Sequence, residues 1–228
     1  MSAVKRALII GASRGLGLGL VQGLKEDGWS VTATVRDTGK ADALRAVTGI
    51  QIEQLDMDEA QSVNALHQRL QGQVFDLLFV NAGIKGPDDQ TPGAAPAHEV
   101  AQLFLTNSVA PISLAQRFTE SLRPDTGVLA FMSSRLGSVT SPDAPELALY
   151  KASKAALNSL TNTYVSQLGE RKLTVLSLHP GWVKTDIGGE DAPTDVATST
   201  RGLLEVINAY RGKGGHYFLD YMGKTHTW

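Results

Sequence analysis

Tyr150 and Lys154 stand four residues apart in the segment LALYKASKAALNSL, which otherwise holds mainly small and apolar side chains. In an α-helix this spacing places both side chains on one face, so they can act on a single point. A tyrosine, with a pKa near ~10, exchanges protons poorly near neutrality unless positive charge stabilises its phenolate. Lys154 would supply that charge, making the pair an acid/base group. Taken alone, the spacing also fits an exposed helix face.

Three glycines, Gly11, Gly15 and Gly17, follow the first apolar run of the chain. A turn from a strand into a helix needs residues that tolerate positive φ and let an anion approach the backbone. The N-terminus of the helix then offers free N–H groups and the positive end of its dipole to a phosphate. The spacing differs from the G-x-G-x-x-G fingerprint, and close packing of helix on strand would also explain the glycines.

Arg36 and Asp37 end the second apolar run, in TATVRD. About twenty residues after a phosphate-binding turn, this place reads the ribose of a dinucleotide. Arg36 would receive the 2′-phosphate of NADP, and Arg14 in the glycine turn would add a second positive charge. Asp37 would instead serve the 2′-hydroxyl of NAD, and both arginines could be solvated surface charges. We favour NADP(H) over NAD(H).

Seven short apolar runs alternate with helix-length segments along the chain. Such alternation predicts an α/β fold with right-handed crossovers and a mainly parallel sheet. The length of 228 residues fits a single domain over residues 1–228. The runs are RALIIG, SVTATV, GIQIEQL, FDLLFV, GVLAFM, LTVLSLH and GHYFL.

The segments between the runs contain two loops and one capping signal. Residues 84–97 and 182–195 are rich in Gly, Pro and Asp, which predicts loops that shape a substrate pocket. Asp58 followed three residues later by Gln61 predicts a reciprocal N-cap for a helix that begins near Glu59.

Composition excludes several classes of function. The net charge of -2 argues against a surface built for nucleic acid or an anionic membrane. The absence of cysteine excludes a disulfide framework, a thiol nucleophile and a thiolate zinc site. None of the five histidines has metal-ligand spacing, so we expect no metal. The first apolar run stops at Gly11, too early for a signal peptide or a membrane span, so we expect a cytoplasmic protein.

Taken together, the motifs resemble those of the short-chain dehydrogenase/reductase family, in the family's order and over almost the whole chain. Within it, SSRLGS and the segment His179–Gly189 most resemble the carbonyl-reductase-like branch of C-factor and sniffer type. The resemblance implies one doubly wound Rossmann-type domain with a seven-stranded parallel sheet, order 3-2-1-4-5-6-7, and helices on both faces. The anchors are GASRGLG at Gly11–Gly17, VNAG at Val80–Gly83, Asn107, YKASK at Tyr150–Lys154 and HPGWVKTDIGG at His179–Gly189.

Two positions depart from the family's pattern. The glycine motif commonly begins with threonine, where this chain has Ile10, so one hydrogen bond of the turn is missing. The usual spacing from the catalytic serine to Tyr150 falls on Gly137. Ser134 fits the motif MSS if the following loop is longer, and Ser138 competes with it. We prefer Ser134 because it directly follows a strand, where parallel sheets form their ligand crevice.

The resemblance implies an NADPH-dependent reduction of an aldehyde, ketone or quinone. Tyr150 would be the acid/base, Ser134 would bond to the substrate oxygen, and Asn107 would hold a water that relays protons to Lys154. Lys154 would also bind the nicotinamide ribose. An alternative is an NADP(H)-binding redox sensor or signalling protein with slow catalysis, which would need the glycines and Arg36 but no proton donor.

The cofactor contacts combine the glycine turn, Arg36 and residues taken from the resemblance. Asp56 would accept from the adenine amino group, or simply form a turn. Asn81 could satisfy a strand end, and Val183 with Thr185 could form only a flexible turn. The set is Gly11, Ser13, Arg14, Gly15, Leu16, Gly17, Arg36, Asp56, Met57, Asn81, Ala82, Gly83, Tyr150, Lys154, Pro180, Gly181, Val183 and Thr185.

Small residues near Tyr150 would let a second helix approach closely, and members of the family commonly pair this region. We therefore expect a homodimer or homotetramer, which a sedimentation run showing only monomer would exclude. The same residues would also suit packing within one chain. They are Ala152, Ser153, Ala155 and Ala156.

Overall fold

The computed structural model describes residues 4–228 and is built around a sheet of seven parallel strands. Each predicted apolar run overlaps one strand almost completely. Residues 1–3, part of the N-terminal segment considered above, lie outside the described residues. The strands are β1 Arg6–Ile10, β2 Ser30–Val35, β3 Gln51–Gln54, β4 Leu77–Val80, β5 Val128–Met132, β6 Thr174–His179 and β7 Gly215–Asp220.

The strand order is β3-β2-β1-β4-β5-β6-β7, and every neighbouring pair is parallel. The predicted fold class and order are therefore confirmed. β1 lies beside β4, so the chain winds outward from this pair in both directions. In such sheets, ligands bind beyond the carboxyl ends of the strands at the point of reversal. This edge is where Gly11, Asn81 and Ser134 follow their strands.

Helices cover both faces of the sheet. A π-helical turn at Leu105–Val109 joins the fourth and fifth helices into one continuous rod. No helix within residues 4–228 is long and apolar enough to cross a membrane. The helices are α1 Gly15–Glu26, α2 Asp42–Arg45, α3 Ala60–Arg69, α4 Ala97–Phe104, α5 Ala110–Phe118, α6 Ala148–Gln167 and α7 Val196–Tyr210.

The core lies in two layers, one on each side of the sheet. Along β1, Ala7 and Ile9 face the layer of α1 and α7, whereas Leu8 and Ile10 face the layer of α3, α5 and α6. All four side chains are fully buried. Alternation along a strand sends successive side chains to opposite faces, so a strand with helices on both sides must be apolar throughout. The buried sheet therefore sets the positions of the residues that follow the strand ends.

The predicted cap of α3 is wrong, although the helix begins at Ala60, one residue beyond the expected place. Glu59 occupies the N-cap position, and its side chain makes no capping bond. Asp58 Oδ2 instead accepts from Gln102 Nε2 and Thr106 Oγ1, each at 2.6 Å. Asp58 thus ties the start of α3 to the α4–π–α5 rod, and tertiary partners have displaced the local capping pattern.

The C-terminal segment turns back along β7 and covers that edge of the sheet. The backbone N–H of His226 donates to the carbonyl of Phe218 at 2.9 Å. The Trp228 ring stacks on Phe218 with 5.2 Å between centroids. Pairing of this kind satisfies backbone groups that an open edge strand would expose. The turn also brings Thr227 and Trp228 to the loop that follows β5.

Candidate active site

The turn between β1 and α1 allows a phosphate to approach its backbone. Gly11 has a φ of +81°, and a Cβ there would lie 2.8 Å from Cβ of Ala82. A Cβ on Gly17 would lie 2.1 Å from the carbonyl oxygen of Gly11, so only glycine fits. The first turn of α1 contains no acidic side chain and no side-chain cap. Its N–H groups therefore suit an anion, and the turn fits the phosphates of a dinucleotide.

Neighbouring strands hold this turn in place. Asn81 Nδ2, beyond the end of β4, donates to the carbonyl of Gly11 at 2.7 Å. Thr34 Oγ1, in β2, accepts from the backbone N–H of Gly11 at 3.1 Å. Ile10 cannot provide the hydroxyl that commonly begins this motif, and Thr34 provides one from the adjacent strand. The turn thus receives a side-chain hydrogen bond from the adjacent strand.

Arg36 follows β2 at the carboxyl edge, where the sequence predicts a ribose-reading residue. Its side chain is exposed, and it lines a depression of about 410 Å³ together with Asp56, Ile84 and Leu105. Asp37 Oδ1 accepts from the N–H of Gly39 at 2.8 Å and so closes a local turn. Because that carboxylate is engaged by its own backbone, Arg36 is better placed to meet a ribose phosphate.

Arg14 points toward the closing loop, residues 182–195, rather than to Arg36. Its Nη1 lies 2.9 Å from Oδ2 of Asp186, and both side chains are largely exposed. An exposed ion pair contributes at most about 1 kcal/mol, so a phosphate can compete for this guanidinium. The second positive charge that the sequence predicts beside the 2′-phosphate is therefore present on Arg14, where it is paired with the carboxylate of Asp186.

Asp56 forms a local turn, which was the second of the two roles predicted for it. Its Oδ1 accepts from the N–H of Asp58 at 3.1 Å, while its own N–H donates to Ser62 Oγ at 2.9 Å. Asp56 also lines the same depression as Arg36, so turn formation leaves it at the predicted adenine end. Met57 is buried in the core beneath.

Tyr150 and Lys154 occupy successive turns of α6, as their spacing predicts. Lys154 is 4% exposed, and its Nζ lies 5.8 Å from the centroid of the Tyr150 ring. The same Nζ donates to the carbonyl of Met132, the last residue of β5, at 2.9 Å. Loss of hydration raises the pKa of Tyr150 to about 12 and lowers the pKa of Lys154 to about 8. Both shifts disfavour the charged form, although Tyr150 keeps part of its surface in contact with solvent whereas Lys154 is buried.

Asn107 lies in the π-helical turn and is completely buried. Its Oδ1 accepts from the N–H of Ile84 at 2.9 Å, and its Nδ2 donates to the carbonyl of Ile84 at 2.8 Å and to Ser153 Oγ at 3.1 Å. A Cβ on Gly83 would lie 3.2 Å from Asn107 Oδ1 and 3.5 Å from Lys154 Nζ. These contacts join the end of β4 to α6. The expected water relay stays a prediction, because the amide is already bound to protein groups at both ends.

Ser134 and Ser138 have different surroundings. Ser134 Oγ accepts from the N–H of Leu136 at 3.2 Å, which leaves its O–H free to donate. Ser138 Oγ lies 3.3 Å from both Thr227 Oγ1 and the carbonyl oxygen of Trp228, in the C-terminal segment. This arrangement favours Ser134 as the residue that meets a substrate oxygen.

Pro180 and Gly181 lead from the end of β6 into the closing loop, which reaches across to the glycine turn. Pro180 accepts a bond from Ser199 Oγ at 2.7 Å, and Gly181 adopts a φ of +88° against the ring of Tyr221. Val183 is buried and pairs with Thr194, which fixes the base of the loop. The methyl group of Thr185 would lie 3.5 Å from a Cβ on Gly15. The loop thus spans the groove in which the predicted cofactor would lie.

Other predicted cofactor residues complete the two ends of this groove. Ser13 and Leu16 are partly buried in the glycine turn, and Leu16 packs on the core beneath α1. Ala82 packs on the opposite core layer, beside Gly83. The structure therefore places the predicted set along the carboxyl edge of β1 to β6, with Tyr150 and Lys154 on α6.

Two residues near Tyr150 were not predicted from the sequence. Ser153 Oγ donates to the carbonyl of Tyr150 at 2.7 Å, and Gln90 Oε1 accepts from its N–H at 2.8 Å. Ser153 was named among the small residues that would let a second helix approach or would pack within one chain, and its complete burial fits packing within the chain. No local pattern marks Gln90, since its partner lies 60 residues away in the chain.

The histidines do not form a metal site. Residues 4–228 contain no group of three or more histidine, aspartate, glutamate or cysteine side chains placed to hold a metal ion. His179 ends β6, and burial together with nearby His226 lowers its pKa to about 4. It is therefore neutral near pH 7, in keeping with a structural strand-end residue.

Comparison with known proteins agrees with this geometry. The short chain dehydrogenase profile matches residues 5–195. The C-signal protein of Myxococcus xanthus is 33% identical over 67% of this chain and 92% of its own. A Pseudomonas aeruginosa carbonyl reductase in complex with NADP is 36% identical, with a TM-score of 0.91 over 99% of this chain and 100% of its own. Carbonyl reductase Sniffer of Drosophila melanogaster is 31% identical, with a TM-score of 0.87 and the same coverage.

The profile covers more than half of the chain, and the similarity to solved structures covers nearly all of it. The predicted resemblance, including the C-factor and sniffer-like branch, is confirmed. The chain belongs to the short-chain dehydrogenase/reductase family of NAD(P)-dependent oxidoreductases.

Proposed function

We propose that this protein is an NADPH-dependent reductase of uncharged, largely apolar carbonyl compounds. The observation that carries the proposal is the convergence of Tyr150, buried Lys154 and the strand end before Ser134 beside the glycine turn. The NADP-bound carbonyl reductase of P. aeruginosa supports the choice of cofactor and reaction. Membership of the family alone would not decide between NADP and NAD, nor would it identify the reaction.

In the proposed reaction, the glycine turn and Arg36 would hold NADPH, which would supply the hydride that the carbonyl carbon needs. Tyr150 donates a proton to the oxygen, while the O–H of Ser134 holds that oxygen in place. The ammonium group of Lys154 stabilises the phenolate left on Tyr150, which is how a phenol can serve as an acid in this setting. A correctly placed donor to a developing oxyanion typically lowers the activation free energy by about 3 kcal/mol.

Exposed apolar side chains at the carboxyl edge support an apolar substrate. Val139 is 81% exposed, Met222 70% and Trp182 56%, and each follows a different strand among β5, β6 and β7. Ile187 in the closing loop is 45% exposed. Val139, Trp182 and Met222 follow the neighbouring strands β5, β6 and β7, and apolar groups that gather at one edge of a sheet can form a binding surface. The loops 84–97 and 182–195 would shape the pocket around them.

Two of the charged side chains near Ser134 and Tyr150 are engaged by neighbouring protein groups. Arg135 lies 3.0 Å from Asp143, and Lys151 donates to the carbonyls of Ser141 and Asp143. The Arg135–Asp143 pair is half exposed and therefore weak, so the expected substrate class rests on the exposed apolar side chains rather than on this pair. We therefore expect the reaction to favour neutral carbonyls.

The test is the consumption of NADPH with a panel of aromatic aldehydes, cyclic ketones, quinones and 2-oxo acids. We expect kcat/KM for the best neutral compound to exceed that for the 2-oxo acids at least about tenfold, given the cost of desolvating an unpaired carboxylate. Preference for the acids would refute the apolar substrate. Tight NADPH binding without turnover would instead favour the signalling alternative, for which the similarity to C-signal is the supporting observation.

Replacement of Arg36 tests the cofactor preference. In Arg36→Ala we expect KM for NADPH to rise about 10- to 100-fold, because a charge-assisted bond to the 2′-phosphate is lost. KM for NADH should stay unchanged, since NADH lacks that phosphate. Arg201→Ala, which removes an exposed arginine paired with Glu26, is the control. Equal changes for both cofactors would contradict the assignment of Arg36.

A homodimer or homotetramer and a cytoplasmic location are further parts of the proposal. Ala152 is exposed on α6, and Ala155 and Ala156 are partly exposed beside it. Val109 on the π-helical turn and Leu160 on α6 add exposed apolar groups. These residues could pack on a second copy of the chain, as small residues permit close helix contact.

A further inference from the structure

A buried glutamine joins the loop 84–97 to the start of α6. Gln90 is only 5% exposed, within a segment otherwise rich in Gly, Pro and Asp. Its Oε1 accepts from the backbone N–H of Tyr150 at 2.8 Å. Its Nε2 donates to the carbonyl of Pro87 at 2.6 Å and to that of Lys85 at 3.2 Å. One amide therefore contacts both the loop and the helix.

The contact with Tyr150 satisfies a group that the helix itself leaves open. The first N–H groups of an α-helix have no intrahelical acceptor. α6 begins at Ala148, so Tyr150 lies in its first turn, and the N-cap residue Leu147 makes no side-chain capping bond. Gln90 supplies the missing acceptor from another part of the chain. It replaces a local cap of the kind that stabilises helix starts.

Tyr150 is consequently held by its backbone on two sides. Gln90 holds its N–H, and Ser153 Oγ donates to its carbonyl at 2.7 Å. Lys154 lies one turn further in, where Met132 holds its Nζ. Helix ends fray more readily than interiors, so the first turn is the part of α6 that needs external support. A small displacement there would move the tyrosine hydroxyl but leave Lys154 in place.

We propose that Gln90 is a positioning residue for Tyr150, coupling the loop over the substrate to the first turn of α6. The inference rests on the proposed function, because it matters for catalysis only if Tyr150 is the acid. It predicts that ordering of the loop around Lys85 and Pro87 also orders the proton donor. A glutamine that served only the loop would have no need of the bond to Tyr150.

Two substitutions separate the helix contact from the loop contacts. Gln90→Met keeps the length of the side chain but removes all three bonds, and we expect kcat to fall about tenfold, because small misplacement of a reacting group is costly. Gln90→Glu keeps the acceptor for Tyr150 but loses both donors to the loop. We expect its kcat to stay within about threefold of wild type while KM for the carbonyl rises. NADPH affinity, measured by fluorescence, should be unchanged in both.

Controls distinguish failure of this inference from failure of the proposed function. Gln73→Met removes a glutamine that binds Arg6 at the opposite edge of the sheet, and its kcat should match wild type. Turnover that survives in Tyr150→Phe would refute the proposed function itself. If Tyr150→Phe is inactive, wild-type kcat in Gln90→Met, or an equal loss of kcat in Gln90→Met and Gln90→Glu, would overturn the role of Gln90.

Folding of the variants is checked by circular dichroism before kinetics. If Gln90→Met does not fold, Gln90→Asn takes its place, since it keeps the amide on a chain one methylene shorter. A lowered kcat with unchanged NADPH affinity in Gln90→Asn would support the inference. A wild-type kcat in that variant would overturn it.

Discussion

Tyr150→Phe should lower kcat for carbonyl reduction about 10³-fold, since general acid catalysis typically contributes 10²- to 10⁴-fold. The substitution removes only the hydroxyl that would donate the proton. Stopped-flow or steady-state loss of NADPH absorbance measures the rate, and NADPH fluorescence measures binding. Binding should be nearly unchanged, because the glycine turn and Arg36 lie elsewhere in the groove.

Tyr164→Phe is the matched control on the same helix. Its hydroxyl is buried and lies 2.6 Å from Thr119 Oγ1, in the layer between α5 and α6. Loss of that bond should reduce the free energy of unfolding by about 1 kcal/mol without changing kcat. A comparable loss of activity in both variants would indicate a general effect of removing a tyrosine hydroxyl from α6. If Tyr150→Phe retains turnover, Tyr150 is not the acid, whatever the activity of Tyr164→Phe.

The sheet could be predicted because its pattern is local. β1, β4 and β5 are buried on both faces, so each must be apolar throughout, and a short apolar run is visible without any knowledge of its neighbours. Tyr150 and Lys154 were predictable for the same reason. A spacing of four residues is converted by helix geometry directly into proximity.

The failures come from contacts between distant parts of the chain. Asp58 is a good N-cap residue by type, but Gln102 and Thr106, which lie 44 and 48 residues away, bind its carboxylate instead. The preference for Ser134 over Ser138 stays a prediction, to which the structure adds a contact of Ser138 with the distant C-terminal segment. Local sequence has no signal for either partner.

A single motif also cannot show that a side chain from another element supplies a hydrogen bond that the motif lacks. The glycine turn lacks the usual threonine, which predicts a weaker turn, yet Thr34 reaches it from β2. Gln90 caps Tyr150 in the same manner, from outside the helix. In each case one hydroxyl or amide satisfies a backbone N–H that the local pattern leaves open, because buried polar groups must be paired by whatever part of the chain is near.

Lys154→Met should abolish most activity and yet stabilise the protein near pH 7. Without the ammonium group, the phenolate of Tyr150 has no charge to stabilise it, and we expect kcat to fall at least about 10²-fold. In the wild type, kcat/KM should already decline as the pH rises past about 8, where Lys154 loses its proton. That limb of the pH profile should be missing from the residual activity of Lys154→Met.

The gain in stability follows from the sign of the pKa shift. Burial lowers the pKa of Lys154 from 10.5 to about 8, so between these values the unfolded chain binds more protons than the native one. Stability therefore rises with pH across this window, and below pH 8 the buried charge costs on the order of 3 kcal/mol. Methionine removes that cost and keeps the apolar stem. It also leaves the carbonyl of Met132 without its bond from Nζ, a loss of about 1–3 kcal/mol.

The balance of these two effects reverses with pH, which makes the prediction sharp. Urea denaturation at pH 7 should show Lys154→Met about 1 kcal/mol more stable than wild type, the remainder after the lost hydrogen bond. Above about pH 10.5 the lysine is neutral in both states, so only the lost bond remains and the variant should be less stable. Lys151→Met, three residues earlier on α6, should show no such crossing, since Lys151 is not fully buried. If Lys154→Met is less stable than wild type at both pH values, the buried ammonium group does not destabilise the native protein. The proposal that the protein keeps this charge for catalysis, at a cost in stability, would then be wrong.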